Sequence, residues 1–179
     1  MCGDVRPLCA YCVAVTSPAG ARERDESGRP RNGRPRDGLG RPLPRGEQGV
    51  ERVPDDLVLP PLPALAHAQQ LLDDGKPFHA HEVLEASWKA APPSERDLWQ
   101  GLAQLAVGLT HALRGNTSGA VTLLRRGRRR IAGYAASPPY GIDVPGLLGW
   151  ADGLVADLES ADVRRADDTR RPTVPVLRP

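Results

Sequence analysis

The stretch Asp97 to Arg114, DLWQGLAQLAVGLTHALR, carries no formally charged side chain between its two ends. A segment so apolar and so rich in helix formers has to be walled in by other elements. Leu98, Leu102, Leu105, Leu109 and Ala112 recur with the 4-3-4-3 spacing of a bundle core, so the segment reads as a central helix. Gln100, Gln104 and His111 fall on one stripe of it.

The surrounding text supplies partners for that helix. The nineteen Gly and nineteen Pro concentrate before Pro63 and after Ser137, leaving a middle rich in Ala and Leu. A first helix is predicted over Ala64 to Asp74, stopped by Gly75 in a left-handed conformation. Pro77 opens a second over Phe78 to Ala90, and Pro92-Pro93 end it. Ser94 with Asp97 resembles a capping box for the central helix. A fourth helix is predicted over Ser118 to Ala135, and a fifth follows Asp143 with Leu147, Leu148, Trp150, Leu154, Val155 and Leu158 on its apolar side. Short loops then give an all-α fold, a small up-and-down bundle of about five helices spanning 55–160.

The flanks read differently. Residues 1–54 are Pro- and Gly-rich, basic and nearly without large apolar groups, and residues 161–179 are similar, so both are expected to be disordered extensions. Val53 to Pro63 should be an extended strap, and Pro172 to Pro179 reads as a free tail, with docking as an extended peptide the alternative. Basic residues outnumber acidic ones by ten to seven in 1–54, whereas acids lead by twelve to nine in 55–160. That balance argues against a domain whose whole surface courts nucleic acid. Cys2, Cys9 and Cys12 all lie outside the core, and the lone Cys9/Cys12 pair lacks the two further ligands that a closed zinc site needs. Leu8 to Val15 is a short apolar run, weak as a secretion signal. No run approaches the length of a membrane span, so no membrane association is expected and the cytoplasm is the default location.

Chemistry-bearing residues gather on the second and third helices. In FHAHEVLEASW, His81 and Glu85 are four apart and Glu82 and Glu85 three apart, hence neighbours on the helix surface. The preferred reading is a structural polar network in which His81, His111, Gln100 and Gln104 partner Glu82 or Glu85 inside an apolar core, with Trp88 as core or groove wall. His67 and His79 read as surface histidines. The alternative is a ligand cleft, or a single divalent transition metal held by His81, Glu85 and His111, serving a metal-assisted hydrolase or oxidoreductase. The pattern misses both the Glu-x-x-His steps of di-iron bundles and the His-Glu-x-x-His of zincins.

The motif FHAHEVLEASW, followed by LWQGLAQLAVGLTHALRGNTSGAVTLLRRG, resembles the family catalogued as domain of unknown function 309. Its members share a His-Glu-x-x-Glu-x-x-Trp helix, then a Gln-Gly-Leu helix ending in His and an Arg-Gly-Asn turn. The resemblance covers about Leu65 to Tyr134 and implies a small all-helical domain, without an established activity. It marks His81, Glu82, Glu85, Trp88, Gln100, Gly101, His111, Gly115 and Asn116 as signature positions.

Arg125, Arg126, Arg128, Arg129 and Arg130 crowd one turn and a half of the fourth helix. They read first as a solvated face satisfied in part by Asp152, Asp157 and Glu159, and second as an anion-binding surface for an RNA-associated accessory protein. The chain is therefore expected to be a non-catalytic interaction or scaffold module. A protein or small molecule is the expected partner, with a homodimer through the fifth helix as a further option.

Overall fold

In the computed structural model, the described residues are 34–51, 54, 58–163 and 172–179, with side chains described for all of these but 161–163. Cys2, Cys9 and Cys12, and with them the apolar run from Leu8, lie outside the described residues, as does all of the charged extension before residue 34.

Five α-helices are present among the described residues: α1 Pro61–Asp73, α2 Pro77–Ala90, α3 Arg96–Leu113, α4 Thr117–Ile131 and α5 Val144–Val163. Helices adjacent in sequence pack on one another from α1 through to α5, because the turns between them are short. Gly75 closes α1 at φ 71°, and Pro77 stands at the start of α2, where its missing N–H leaves nothing unpaired. The start of α3 differs from the expected capping box: Glu95 is its N-cap residue and no side chain caps it. Asn116 caps α4 instead, its Oδ1 accepting from the Gly119 amide at 3.1 Å.

The apolar stripe of α3 is the centre of the core. Leu98, Leu102, Leu105 and Leu109 are all buried, together with Leu65, Leu72, Leu84, Leu124, Ile131 and Leu147 from the other helices. Each such leucine stabilises the fold by about 1.5–3 kcal/mol, whereas an exposed pair such as Arg125–Glu159, 2.8 Å apart, contributes about 0.2–1 kcal/mol. The seam, not the arginine pairs, holds the bundle. On its other side α3 approaches α4 closely through glycines: a Cβ at Gly101 would sit 2.6 Å from Ile131 Cγ2 and 3.0 Å from the Gly127 carbonyl.

Two segments correct the expectation of disordered flanks. Residues 34–50 contain a tight turn in which Arg36 bridges Pro42, and Asp37 Oδ1 accepts from the amides of Leu39 at 3.0 Å and Arg41 at 2.7 Å. The carboxylate thus satisfies a turn that brings few apolar groups of its own. At the other end Leu177 is only 3% exposed: its N–H donates to Gln69 Oε1 at 2.7 Å and its carbonyl accepts from Asp143 at 2.9 Å. Gln69 Nε2 donates to the Pro175 carbonyl at 3.2 Å, and Trp150 Nε1 to that of Thr173 at 3.0 Å. The closing segment is therefore docked, by the buried Pro175 and Leu177 and a row of bonds to its backbone that composition does not reveal.

No helix among the described residues is long and apolar enough to cross a membrane.

Candidate functional site

The second helix holds two histidine-centred polar arrangements near its start, and they do not converge. His79, expected at the surface, is 2% exposed. Its Nδ1 lies 3.1 Å from Glu82 Oε2 and its Nε2 donates to the Asp37 carbonyl at 3.1 Å. The Asp37 carbonyl can only accept, so Nε2 carries the hydrogen of that bond. The missed signal is the Asp37-Gly38 pair, a strong turn marker, which needed a buried donor to sit against.

Beside it, Phe78 is packed under the turn. Gly40 adopts φ 75°, and a Cβ there would lie 2.3 Å from the Phe78 ring, so only glycine lets the backbone pass. The Arg36 and Arg114 guanidinium carbons stand 5.4 and 5.7 Å from the Phe78 ring centre, within cation–π range. Arg114 also donates to the Leu39 carbonyl. Burial lowers the Arg114 pKa; Asp37 pulls the other way, while Arg41 and Arg36 add to the lowering. The guanidinium stays charged regardless.

His81 faces elsewhere. Its Nδ1 donates to the Phe78 carbonyl at 2.5 Å, which leaves Nε2 turned to Glu85 at 3.6 Å. Glu85 in turn holds Lys89 Nζ at 3.0 Å. Trp88 is partly buried against the core.

The third helix corrects the expected network most. His111 Nδ1 accepts from the Asn116 amide at 2.7 Å, and a Cβ on Gly119 would come within 2.7 Å of that nitrogen. His111 therefore fastens the turn into α4. Gln104 lines a cleft with Arg126, Arg129 and Arg130, and its Oε1 is buried without a hydrogen-bond partner among the described residues. The stripe runs along the α4 side of α3, following Gly101 and Gly108, where the two backbones come closest. Gln100 is half-buried on the same helix. Among the described residues no three His, Cys, Asp or Glu side chains are grouped to hold a metal, so His81, Glu85 and His111 do not assemble as the ligand set the spacing had offered.

A second polar arrangement was not legible in the sequence. Glu95 accepts from Tyr140 Oη at 2.7 and 2.8 Å and from Trp99 Nε1 at 3.1 Å. Tyr140 has φ 57°, uncommon for a residue with a side chain. The three border an apolar cleft of about 400 Å³ with Val58, Pro60 and Pro92.

On α4, Arg125 pairs with Glu159 at 2.8 Å and Arg128 with Asp152 at 2.5 Å, two of the three acids expected to satisfy that face. Arg130 pairs with Asp97 of α3, a partner the sequence reading did not foresee. Arg126 and Arg129 are exposed and have no carboxylate partner among the described residues.

Residues 65–123, from α1 to the middle of α4, match the family described as domain of unknown function (DUF309). The chain is similar to the uncharacterized protein YpuF of Bacillus subtilis (strain 168), at 35% identity over 91 residues. That alignment covers 50% of this chain and 52% of the relative, so the chain spans about half the length of the curated protein it matches. No solved structure matches.

Proposed function

We propose that this chain, similar to the DUF309 family over residues 65–123, is a non-catalytic helical interaction module whose conspicuous polar residues are internal fasteners. One observation carries the reading: His81, Glu82 and His111 each close a bond within their own helix or to the adjoining turn and do not face a common cavity. His81 is spent on Phe78, Glu82 on His79, and His111 on Asn116. A general acid or base must reach a substrate atom from an open site, and a catalytic metal needs about three protein ligands around one point. Neither requirement is met by groups paired within their own helix or turn.

Elemental analysis of the purified full-length chain, with melting curves with and without a chelator, tests this. The expected result is no stoichiometric transition metal and an unchanged melting temperature. One bound metal per chain, lost on replacing His81 or Glu85, would overturn the reading in favour of metal-assisted chemistry.

A further inference from the structure

The arginine-rich turn of α4 is divided by its partners. Arg125 and Arg128 are bound to Glu159 and Asp152 of α5, and Arg130 to Asp97. Arg126 and Arg129 remain exposed, three residues apart and thus on one side of the helix. Both line a cleft of about 690 Å³ between α3 and α4, whose walls also include Gln104, Arg130 and Tyr134. That volume lies within the usual range for small-ligand sites. Cations in the last turn are favoured by the helix dipole, which accounts for arginines being at this end but not for their facing a cleft.

The second observation is Gln104. Its Oε1 is buried and has no hydrogen-bond partner among the described residues, which is costly for an amide acceptor. An added donor would remove that cost. Among the described residues the cleft therefore offers two guanidinium forks without a carboxylate partner and one unspent acceptor, and the carboxylate in its wall, Asp97, is paired with Arg130.

We propose that this cleft binds a small phosphomonoester that also carries hydroxyl groups, a phosphorylated polyol or sugar. The forks of Arg126 and Arg129 grip the phosphate oxygens, and a ligand hydroxyl donates to Gln104 Oε1. The site does not suit a nucleic-acid strand as well. Tyr134, the aromatic in the cleft wall, is fixed by its hydroxyl to the Ser94 carbonyl at 2.7 Å, and no row of stacking rings accompanies it.

Isothermal titration of the full-length chain with inorganic phosphate, glucose 6-phosphate and glucose, at matched ionic strength, tests the proposal. Saturable binding of both phosphate probes is expected, tighter for the sugar phosphate, with none for glucose. Arg126→Ala and Arg129→Ala should each weaken both by about tenfold or more, as expected for a hydrogen bond to a charged group. Gln104→Leu should abolish the preference for the sugar phosphate; Arg126→Lys, which keeps the charge, serves as a second variant if an alanine variant misfolds. Arg125→Ala, on a residue committed to Glu159, should change nothing. Absence of saturable phosphate binding, an equal loss in Arg125→Ala, or binding of a single-stranded RNA oligonucleotide alone would overturn the proposal.

Discussion

His79 Nε2 donates to the carbonyl oxygen of Asp37 at 3.1 Å, across 42 positions of chain. This bond gives a charged, glycine-rich segment a fixed place on a helix it resembles in no way. Three further contacts converge there: Gly40 passes over Phe78, Arg36 stands near its ring, and Arg114 reaches the Leu39 carbonyl.

Gly40→Ala should release that segment without unfolding the bundle. The new Cβ would meet Phe78 at 2.3 Å, on a backbone with φ 75°. Limited trypsin digestion is expected to cut faster after Arg36 and Arg45, while the main melting transition stays close to that of the parent.

Glycine substitutions should have opposite signs at two helical places. Gly101→Ala puts a Cβ 2.6 Å from Ile131 Cγ2 at the α3–α4 crossing, and overpacking of this kind costs about 1–3 kcal/mol. Gly149→Ala, inside α5 with nothing within 4 Å, should stabilise by about 0.5–1 kcal/mol because it restricts the unfolded chain. Urea unfolding of both variants measures the contrast.

Helix type and number were legible because Leu98, Leu102, Leu105 and Leu109 repeat at the period of a buried face, and Gly75, Pro77 and Pro92 punctuate the text. The direction in which α3 turns its polar stripe was not legible. The spacing of Gln104 and His111 says that they share a side, but which neighbour they face depends on the crossing set by Gly101 and Gly127. The order in residues 34–50 and 172–179 was hidden for a related reason. Those segments dock through backbone groups and a few anchors, Phe78 and Leu177 above all, so their composition gives little sign of it.

The Tyr140 hydroxyl titrates above the ordinary tyrosine value of 10.0, first through its hydrogen bond to Glu95, then through burial and the Glu95 charge. A phenol held in its neutral form by folding contributes in full below the unfolded value. The contribution falls as pH rises past that value toward the folded one. Tyr140→Phe should therefore lose less stability than the parent on the alkaline side, as read from melting temperatures above and below that value.

Gln69→Ala removes both amide bonds to the closing segment, to Leu177 N and to the Pro175 carbonyl. Faster hydrogen exchange at Leu177 is expected, with α3 amides unaffected, since the tail can open without the core.

The central claim is that the histidines and acids of α2 serve as fasteners, and a double-mutant cycle on His79 and Glu82 tests it most directly. Urea unfolding of His79→Ala, Glu82→Gln and the double variant should show two destabilising single changes and a coupling of about 0.5–3 kcal/mol. Near-neutral single changes that simply add would contradict the account, and the 3.1 Å contact between these residues would then need another purpose.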